Sequence, residues 1–496
     1  MKQRIILGCM MVFCSCIQIA AQKMLPEDSL KKVFFKAEDC FRQMNYQKAQ
    51  KHYSVLTQAD TNNANWHYKL GICYLHSTLD KEKAIPCLER AVKNVSLKSE
   101  PDKSYETTAP FEAWFYLGKA YHINYKFEKA IQTFLKMKTD FDFGGEEAFV
   151  EEIDKEIEEC KNGIQLLKHP IDIDIENIGE IINTKYKEHS PVISADESKL
   201  IFTSTREGST GGKKTPYGEY FEDIYIAERN NGHWNKPQGI SELINTVNHE
   251  ATISLSVDGE QLFIYRDDDG DGNIYTSTLD GDEWSTPIIF KEICTKYKET
   301  HASLSADFNS VYFTSDRKGG YGGLDIYVIR KLPNGNWGLP ENLGPIINTP
   351  YDEEGPYLHP DGVTLFFSSK GHNSIGGYDI FSSTLKENNK WSVPSNIGYP
   401  INTTGDDLFY APTPDGQRAY YSSLRKDGFG SYDIYIIHLP ASYEKELSVY
   451  TGYIDTKEDL DFADIMITIS DAETAELSGI YTPNSKTGKY LFILPP

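Results

Sequence analysis

Past residue 22 the chain has no run of apolar residues long enough to cross a bilayer as a helix. It has no cluster of Lys or Arg longer than a pair, and its formal charge is -23, from 50 Lys+Arg against 73 Asp+Glu. Phosphate backbones and anionic lipid heads repel so acidic a chain unless it holds a local basic patch, which argues against nucleic acid as a partner. Paired cysteines are missing as well. Of eight cysteines, Cys9, Cys14 and Cys16 lie at the extreme N-terminus; Cys40, Cys73, Cys87, Cys160 and Cys294 are widely spaced and form no C-x-x-C pair. An odd, scattered set implies neither a disulfide framework nor a zinc site, and reads as small buried hydrophobes. G-x-S-x-G, H-E-x-x-H, a phosphate loop and a strand-borne G-x-G-x-x-G are absent in any suitable context. The twelve histidines are scattered, and acid pairs are too many to nominate a catalytic couple.

What the chain does have is enough apolar content for ordinary cores, 39% hydrophobic against 25% charged residues. Its 496 residues hold about three domains at the usual ~150 residues each. The start, Met1-Lys2-Gln3-Arg4, then an apolar run from Ile5 to Cys16 and small residues Ala20-Ala21, has the layout of a secretory signal over 1–21. Cleavage after Ala21 removes Lys2 and Arg4 and leaves -23 - 2 = -25. A lipidated Cys14 or Cys16 is the alternative.

From 27 to 167 the apolar spacing is helical, and glycine and proline are sparse. Trp114-x-x-Leu117-Gly118-x-x-Tyr121, followed by Ala130 and Phe134, matches the tetratricopeptide pattern. Small Gly118 and Ala130 let paired helices approach, while the larger residues fill the space between repeats. An upstream copy has Leu70-Gly71-x-x-Tyr74 and Ala84; an earlier one keeps Ala37, Ala49 and Tyr53. Lys93 to Pro110 is an insertion, and Glu147 to Leu167 a charged capping helix. An all-α tetratricopeptide solenoid of about three repeats, with a protein-binding groove, is expected.

From 170 to 440 a second repeat runs five times. Ile-Asn-Thr or a variant begins at Ile182, Ile244, Ile293, Ile347 and Ile401, at separations of 62, 49, 54 and 54 residues. Fourteen residues on stands an aspartate in a tight turn: Asp196, Asp258, Asp307, Asp361 and Asp415. Then come an alternating strand, a glycine-rich turn, an Asp-Ile-Tyr strand and, in four copies, Trp-x-x-Pro at Trp234, Trp284, Trp337 and Trp391. Sheets this small bury their faces by radial packing, which predicts a five-bladed β-propeller. The fifth copy lacks an outer strand, and 171–178 is expected to supply it and close the ring. Glu207 to Phe221 is a Gly/Lys/Tyr-rich insertion in the first copy.

Six residues after each blade-start isoleucine stands a carboxylate: Glu188, Glu250, Glu299, Glu353 and Asp407. They form either an acidic docking ring at a channel mouth, for a basic partner or a cation, or a set of solvated or backbone-capping groups. His189, His249 and His301 recur beside them. Asp267, Asp269 and Asp271 have the opening spacing of a calcium loop, but Thr278 stands where the bidentate glutamate belongs, so calcium is a weak candidate. No cofactor is expected.

The remainder, 446–496, alternates as antiparallel strands and is short for an independent domain, which reads as an incomplete β-sandwich. The Asp-Gly turns and Gly-Gly-x-Asp-Ile-Tyr hairpins resemble TolB-type, WD-repeat-like propellers. Gly488-Lys489-Tyr490-Leu491-Phe492-Ile493-Leu494-Pro495 resembles the carboxypeptidase-regulatory-like hallmark. The order of signal, tetratricopeptide array, propeller and regulatory-like segment resembles OmpA-family periplasmic proteins, and among them the PorE-type component of type IX secretion. That resemblance implies a non-catalytic scaffold in the periplasm, associated with the outer membrane and binding proteins through groove and propeller face. It also implies a wall-binding OmpA-like domain beyond Pro496, so peptidoglycan is a partner only through a domain this chain does not include. A ligand- or glycan-binding propeller sensor and a propeller hydrolase stay open as alternatives.

Overall fold

The computed structural model describes residues 26–494 apart from 79, 142, 216–217, 268–271 and 456–461. The signal segment, Asp269 and Asp271 lie outside the described residues. Among the described residues seven α-helices come first: α1 (Glu27–Arg42), α2 (Tyr46–Ala59), α3 (Ala64–Leu75), α4 (Ala84–Ala91), α5 (Ala113–Ile123), α6 (Phe127–Asp140) and α7 (Glu147–Leu166). Each packs on the next. Glycine sits where pairs close: a Cβ on Gly71 would lie 2.5 Å from Leu88 Cγ, and one on Gly118 2.4 Å from a ring carbon of Phe134. Gly163 on α7 meets Phe127 in the same way, at 2.5 Å. The 93–110 insertion folds back on α3. Ala64 donates its N–H to the carbonyl of Thr107 (2.9 Å), Asn65 Nδ2 to that of Pro101 (2.9 Å), and Lys69 Nζ reaches Asp102 (3.0 Å). Residues 64–73 are consequently buried on every side.

Five antiparallel blades follow among the described residues, three of four strands and two of five. In blade 3 the strands are Glu299–Leu304, Ser310–Ser315, Asp325–Arg330 and Glu341–Asn342, hydrogen-bonded in that order. Their register puts Glu299 and Asp325 both opposite Ser315, so the blade-start carboxylate and the Gly-rich hairpin share one face of the disc. Blade 5 contributes Leu408–Pro412, Arg418–Ser423 and Asp433–His438, and its outer strand is Asp174–Asn177 from the other end of the propeller, Asn177 opposite Tyr435. The ring closes with five blades as the repeat predicts.

Core sits between neighbouring blades. Phe263 and Ile274 of blade 2 pack with Val311, Phe313 and Tyr327 of blade 3; Tyr312 and Val328 of blade 3 pack with Leu365 and Phe367 of blade 4. Each fully buried side chain contributes roughly 1.5–3 kcal/mol, so no blade is stable without its neighbours. Beyond the propeller, Ser448–Tyr453 pairs with Lys489–Leu494 and Ile467–Ser470 with Leu477–Tyr481, two small antiparallel sheets. They sit on the Asp-Gly turn face, where Lys489 reaches Asp196 (3.5 Å) and Lys445, just before them, reaches Asp361 (2.8 Å). No helix among the described residues is long and apolar enough to cross a membrane.

Candidate functional site

The Ile-Asn-Thr triplet explains the carboxylates. Each isoleucine is fully buried between blades. The asparagine then clips its blade to the third strand of the one before. Asn348 Oδ1 accepts the N–H of Ile326 (2.7 Å) and its Nδ2 donates to the carbonyl of Ile326 (3.0 Å). Asn245 treats Ile224 and Asn402 treats Ile380 alike, and Asn183 clips Ile434 of blade 5 across the closure. In blade 3 the variant Cys294 does the same with sulfur: Ile274 N–H donates to Sγ (3.3 Å) and Sγ–H to the carbonyl of Ile274 (3.4 Å).

The threonine caps the carboxylate four residues on. Glu188 accepts from the N–H and Oγ1–H of Thr184 (both 2.8 Å), from Ser204 Oγ (2.7 Å) and from Arg206 (3.2 Å). Glu299 repeats this with Thr295, Ser315 and Arg317, and Glu353 with Thr349 and Ser369. Glu250 and Asp407 are held by Thr246 and Thr403. All five are at most 1% exposed. This corrects the docking-ring reading: the carboxylates lie inside the blades as caps, and present no surface to a basic partner. Burial pushes Glu353 and Asp407 up to about 7.

At the channel mouth every inner strand carries a β-bulge just past its carboxylate, between His189 and Val192 in blade 1 and between Leu408 and Ala411 in blade 5, for example. Bulges re-aim side chains. His189 donates Nε2–H to Glu222 (3.1 Å) and accepts Ser190 Oγ–H at Nδ1 (2.9 Å); His249 Nδ1 lies 3.5 Å from the other Glu222 oxygen. Burial opposes ionisation of Glu222, but the two histidines hold its carboxyl well below the ordinary range. His301 bonds Glu354, which also accepts from Thr300 (2.8 Å). The two clusters face each other across Phe409, whose ring lies 6.0 Å from His189 and 5.1 Å from His301. Phe409 holds φ at 60°, a strained backbone for a bulky residue. Beneath it is a small apolar cavity of about 60 Å³, lined by Val192, Ile253 and Tyr410 among others. The three sequence-flagged histidines thus divide between two carboxylates and do not converge on one point.

A large cavity, about 1150 Å³, opens between the helices and the hairpin face of blades 4 and 5. Tyr116 and Lys119 of α5 and Lys155 of α7 line one wall; Tyr399, Arg425 and Tyr432 line the other. The walls are tied directly. His122 Nε2–H donates to the carbonyl of Ile375 (2.8 Å), Asn162 Nδ2 to that of Ser374 (2.9 Å), and Thr404 Oγ1 to that of Ile123 (2.9 Å). His122, Glu156 and Glu159 are buried within 4.8 Å of one another. Both His122 nitrogens are already in hydrogen bonds, and Lys119 (2.9 Å) and Lys155 (2.5 Å) neutralise the two glutamates, so the trio is an ion-pair network and not a metal cage. Sequence reasoning missed this joint: His122 follows the motif residue Tyr121 with nothing to distinguish it from a surface histidine.

No known family and no curated protein matches the sequence. Among solved structures, TolB from Acinetobacter baumannii is similar at 17% identity and a TM-score of 0.34, over 53% of this chain and 57% of that one. A putative TolB from Agrobacterium tumefaciens matches at 15% identity and TM-score 0.29, over 54% and 98%. An alpha-L-arabinofuranosidase from Lactobacillus brevis matches at 12% identity and TM-score 0.33, over 53% and 92%.

Proposed function

We propose that the protein is a non-catalytic interaction scaffold of the periplasm, with a tetratricopeptide-type array and a TolB-type propeller holding protein segments between them. The observation that carries this reading is the 1150 Å³ cleft bounded by α5 and α7 on one side and blades 4 and 5 on the other. An opening of that size, walled by tyrosines and long side chains of both charges, suits an extended polypeptide better than a small metabolite. The domain order supports the finer reading, an outer-membrane-associated component of type IX secretion of the PorE type. Crosslinking in cells followed by mass spectrometry tests it. Recovery of other secretion components, lost when Tyr116 and Tyr432 are both changed to alanine, supports the proposal; recovery of none removes the secretion assignment.

One observation favours a second reading. The strained Phe409 between two histidine–carboxylate clusters gives the channel mouth the makings of a small-ligand or glycan sensor. Calorimetry with wall sugars, wild type against Phe409→Ala, separates the two: heat abolished by the substitution favours the sensor.

A further inference from the structure

With the repeat carboxylates buried, the hairpin face shows a different chemistry on blade 1. Within the insertion at 207–221, Lys214 and Tyr220 form a β-bridge, and the N–H of Thr215 meets the carbonyl of Glu219 (2.8 Å). It packs against the blade-start segment through Tyr186 and Tyr220, ring centroids 6.0 Å apart and edge to face. On this base each lysine lies over an aromatic ring. Lys214 Nζ is 4.0 Å from the Tyr220 centroid, Lys185 Nζ 5.1 Å from Tyr186 and Lys213 Nζ 5.7 Å from Phe221. Lys185, Lys213 and Lys214 are exposed, and among the described residues none of the three is in an ion pair; Lys187 alone reaches a carboxylate, Glu222 at 3.8 Å. Glu207 and Glu219 flank the bridge, and Glu207 is engaged by Tyr220 Oη (3.4 Å). The helical domain, bound to blades 4 and 5, leaves this patch uncovered.

We propose that this lysine–tyrosine platform on blade 1 is a docking surface for an acidic polypeptide segment. It rests on the scaffold reading above and names the partner chemistry for one face. The rings hold the ammonium groups in place by cation–π attraction, so less freedom is lost when an anion arrives. The net charge of -23 does not forbid this, because at physiological salt charges beyond about 8 Å are screened and the local sign decides. A polypeptide is favoured over an acidic glycan because sugars stack on bare aromatic faces, and here the lysines occupy those faces. The same Lys-Tyr-Lys order recurs at 296–298 in blade 3, where Lys296 lies 5.5 Å over Tyr297.

The test is fluorescence anisotropy of a labelled poly-glutamate peptide with the full chain, at low and at physiological salt. Saturable, salt-sensitive binding is expected, weakened about tenfold or more by Lys185→Gln/Lys213→Gln/Lys214→Gln with the circular dichroism unchanged. An oligogalacturonate of equal charge should fail to displace the peptide. No binding, binding that the triple variant keeps, or displacement by the oligogalacturonate overturns the proposal. Crosslinking of the triple variant in cells tells this failure from failure of the scaffold reading: partners still recovered there sink only the platform.

Discussion

The imidazole of His122 on α5 joins two domains: its Nε2–H donates to the carbonyl of Ile375 in blade 4 at 2.8 Å, and its Nδ1 lies 2.8 Å from Glu156 on α7. A carbonyl only accepts, so Nε2 carries a proton, and the contact with a carboxylate favours a second proton on Nδ1. The joint is held by an imidazolium.

That charge state makes docking of the helices on the propeller depend on pH. Burial alone lowers the His122 ring, but the hydrogen bond and charge of Glu156 outweigh it and raise it above its ordinary value. A raised histidine contributes its full share below the unfolded value, near 6.5, and loses it as pH climbs through the folded one. Glu159, raised by burial and by Glu156, acts with the same sign, since ionising it costs stability as pH rises. Of the facing groups, Asp379 is raised well above the carboxylate range by burial and adds to the same trend, while burial lowers Lys119 but the charge of Glu156 outweighs it and holds it above its ordinary value. Small-angle scattering should show a wider particle at pH 9 than at pH 6, and His122→Gln should flatten the difference. Equal dimensions at both values in the wild type would refute the linkage.

The asparagine clips should carry much of the propeller's cohesion. Asn348→Ala strands the buried N–H of Ile326 and removes one of two donors from its carbonyl, which keeps the N–H of Leu343 (3.1 Å), so a loss of about 1–3 kcal/mol is expected in urea denaturation. Cys294→Asn is the converse. Replacing two weak sulfur bonds by amide bonds should leave stability equal or higher, and a loss beyond about 1 kcal/mol would show that the clip geometry is not shared by the blades.

Buried caps titrate differently from a docking ring. With Glu353 and Asp407 pushed up to about 7, the propeller should be most stable below their unfolded values and lose stability as pH rises to about 7, on the order of 1–3 kcal/mol per group. Glu353→Gln/Asp407→Asn should flatten that slope in melting curves from pH 4.5 to 8. A slope the double variant keeps would point to other groups.

Helix pairing should reject a methyl group at Gly118. Alanine normally gains about 1 kcal/mol over glycine within a helix, but here its Cβ would lie 2.4 Å from Phe134. Gly118→Ala is expected to lose a net 1–3 kcal/mol or so, and Phe134→Leu in the same chain to restore part of it. A stabilised Gly118→Ala would mean that the two helices separate easily.

Sealing of the ring by 174–177 predicts one cooperative event. Removing 168–178 leaves Tyr435 and Ile437 without a strand on their outer side and takes the Asn177 hydrogen bond from Asp433. Calorimetry should show the propeller transition lost or broadened, and an unchanged transition would exclude a closing role.

Blade number, strand order, closure and the helical start are legible in the residues themselves, because each follows from local period and local turn chemistry. Ile-Asn-Thr, the Asp turns and the Asp-Ile-Tyr strands recur because every blade solves the same packing problem with the same bonds. Which side chains face water does not follow from such spacing. A carboxylate six residues past Ile182 or Ile347 looks like surface charge until the strand register sets it opposite Ser204 or Ser369, under a threonine cap, with solvent excluded. His122, Phe409 and the packing of Tyr186 on Tyr220 under the lysines are likewise decided by contacts between residues far apart in the chain, which no single segment encodes. The acidity of the chain is written in its composition; where that acidity is hidden, and where lysines are left in view, is settled by tertiary packing alone.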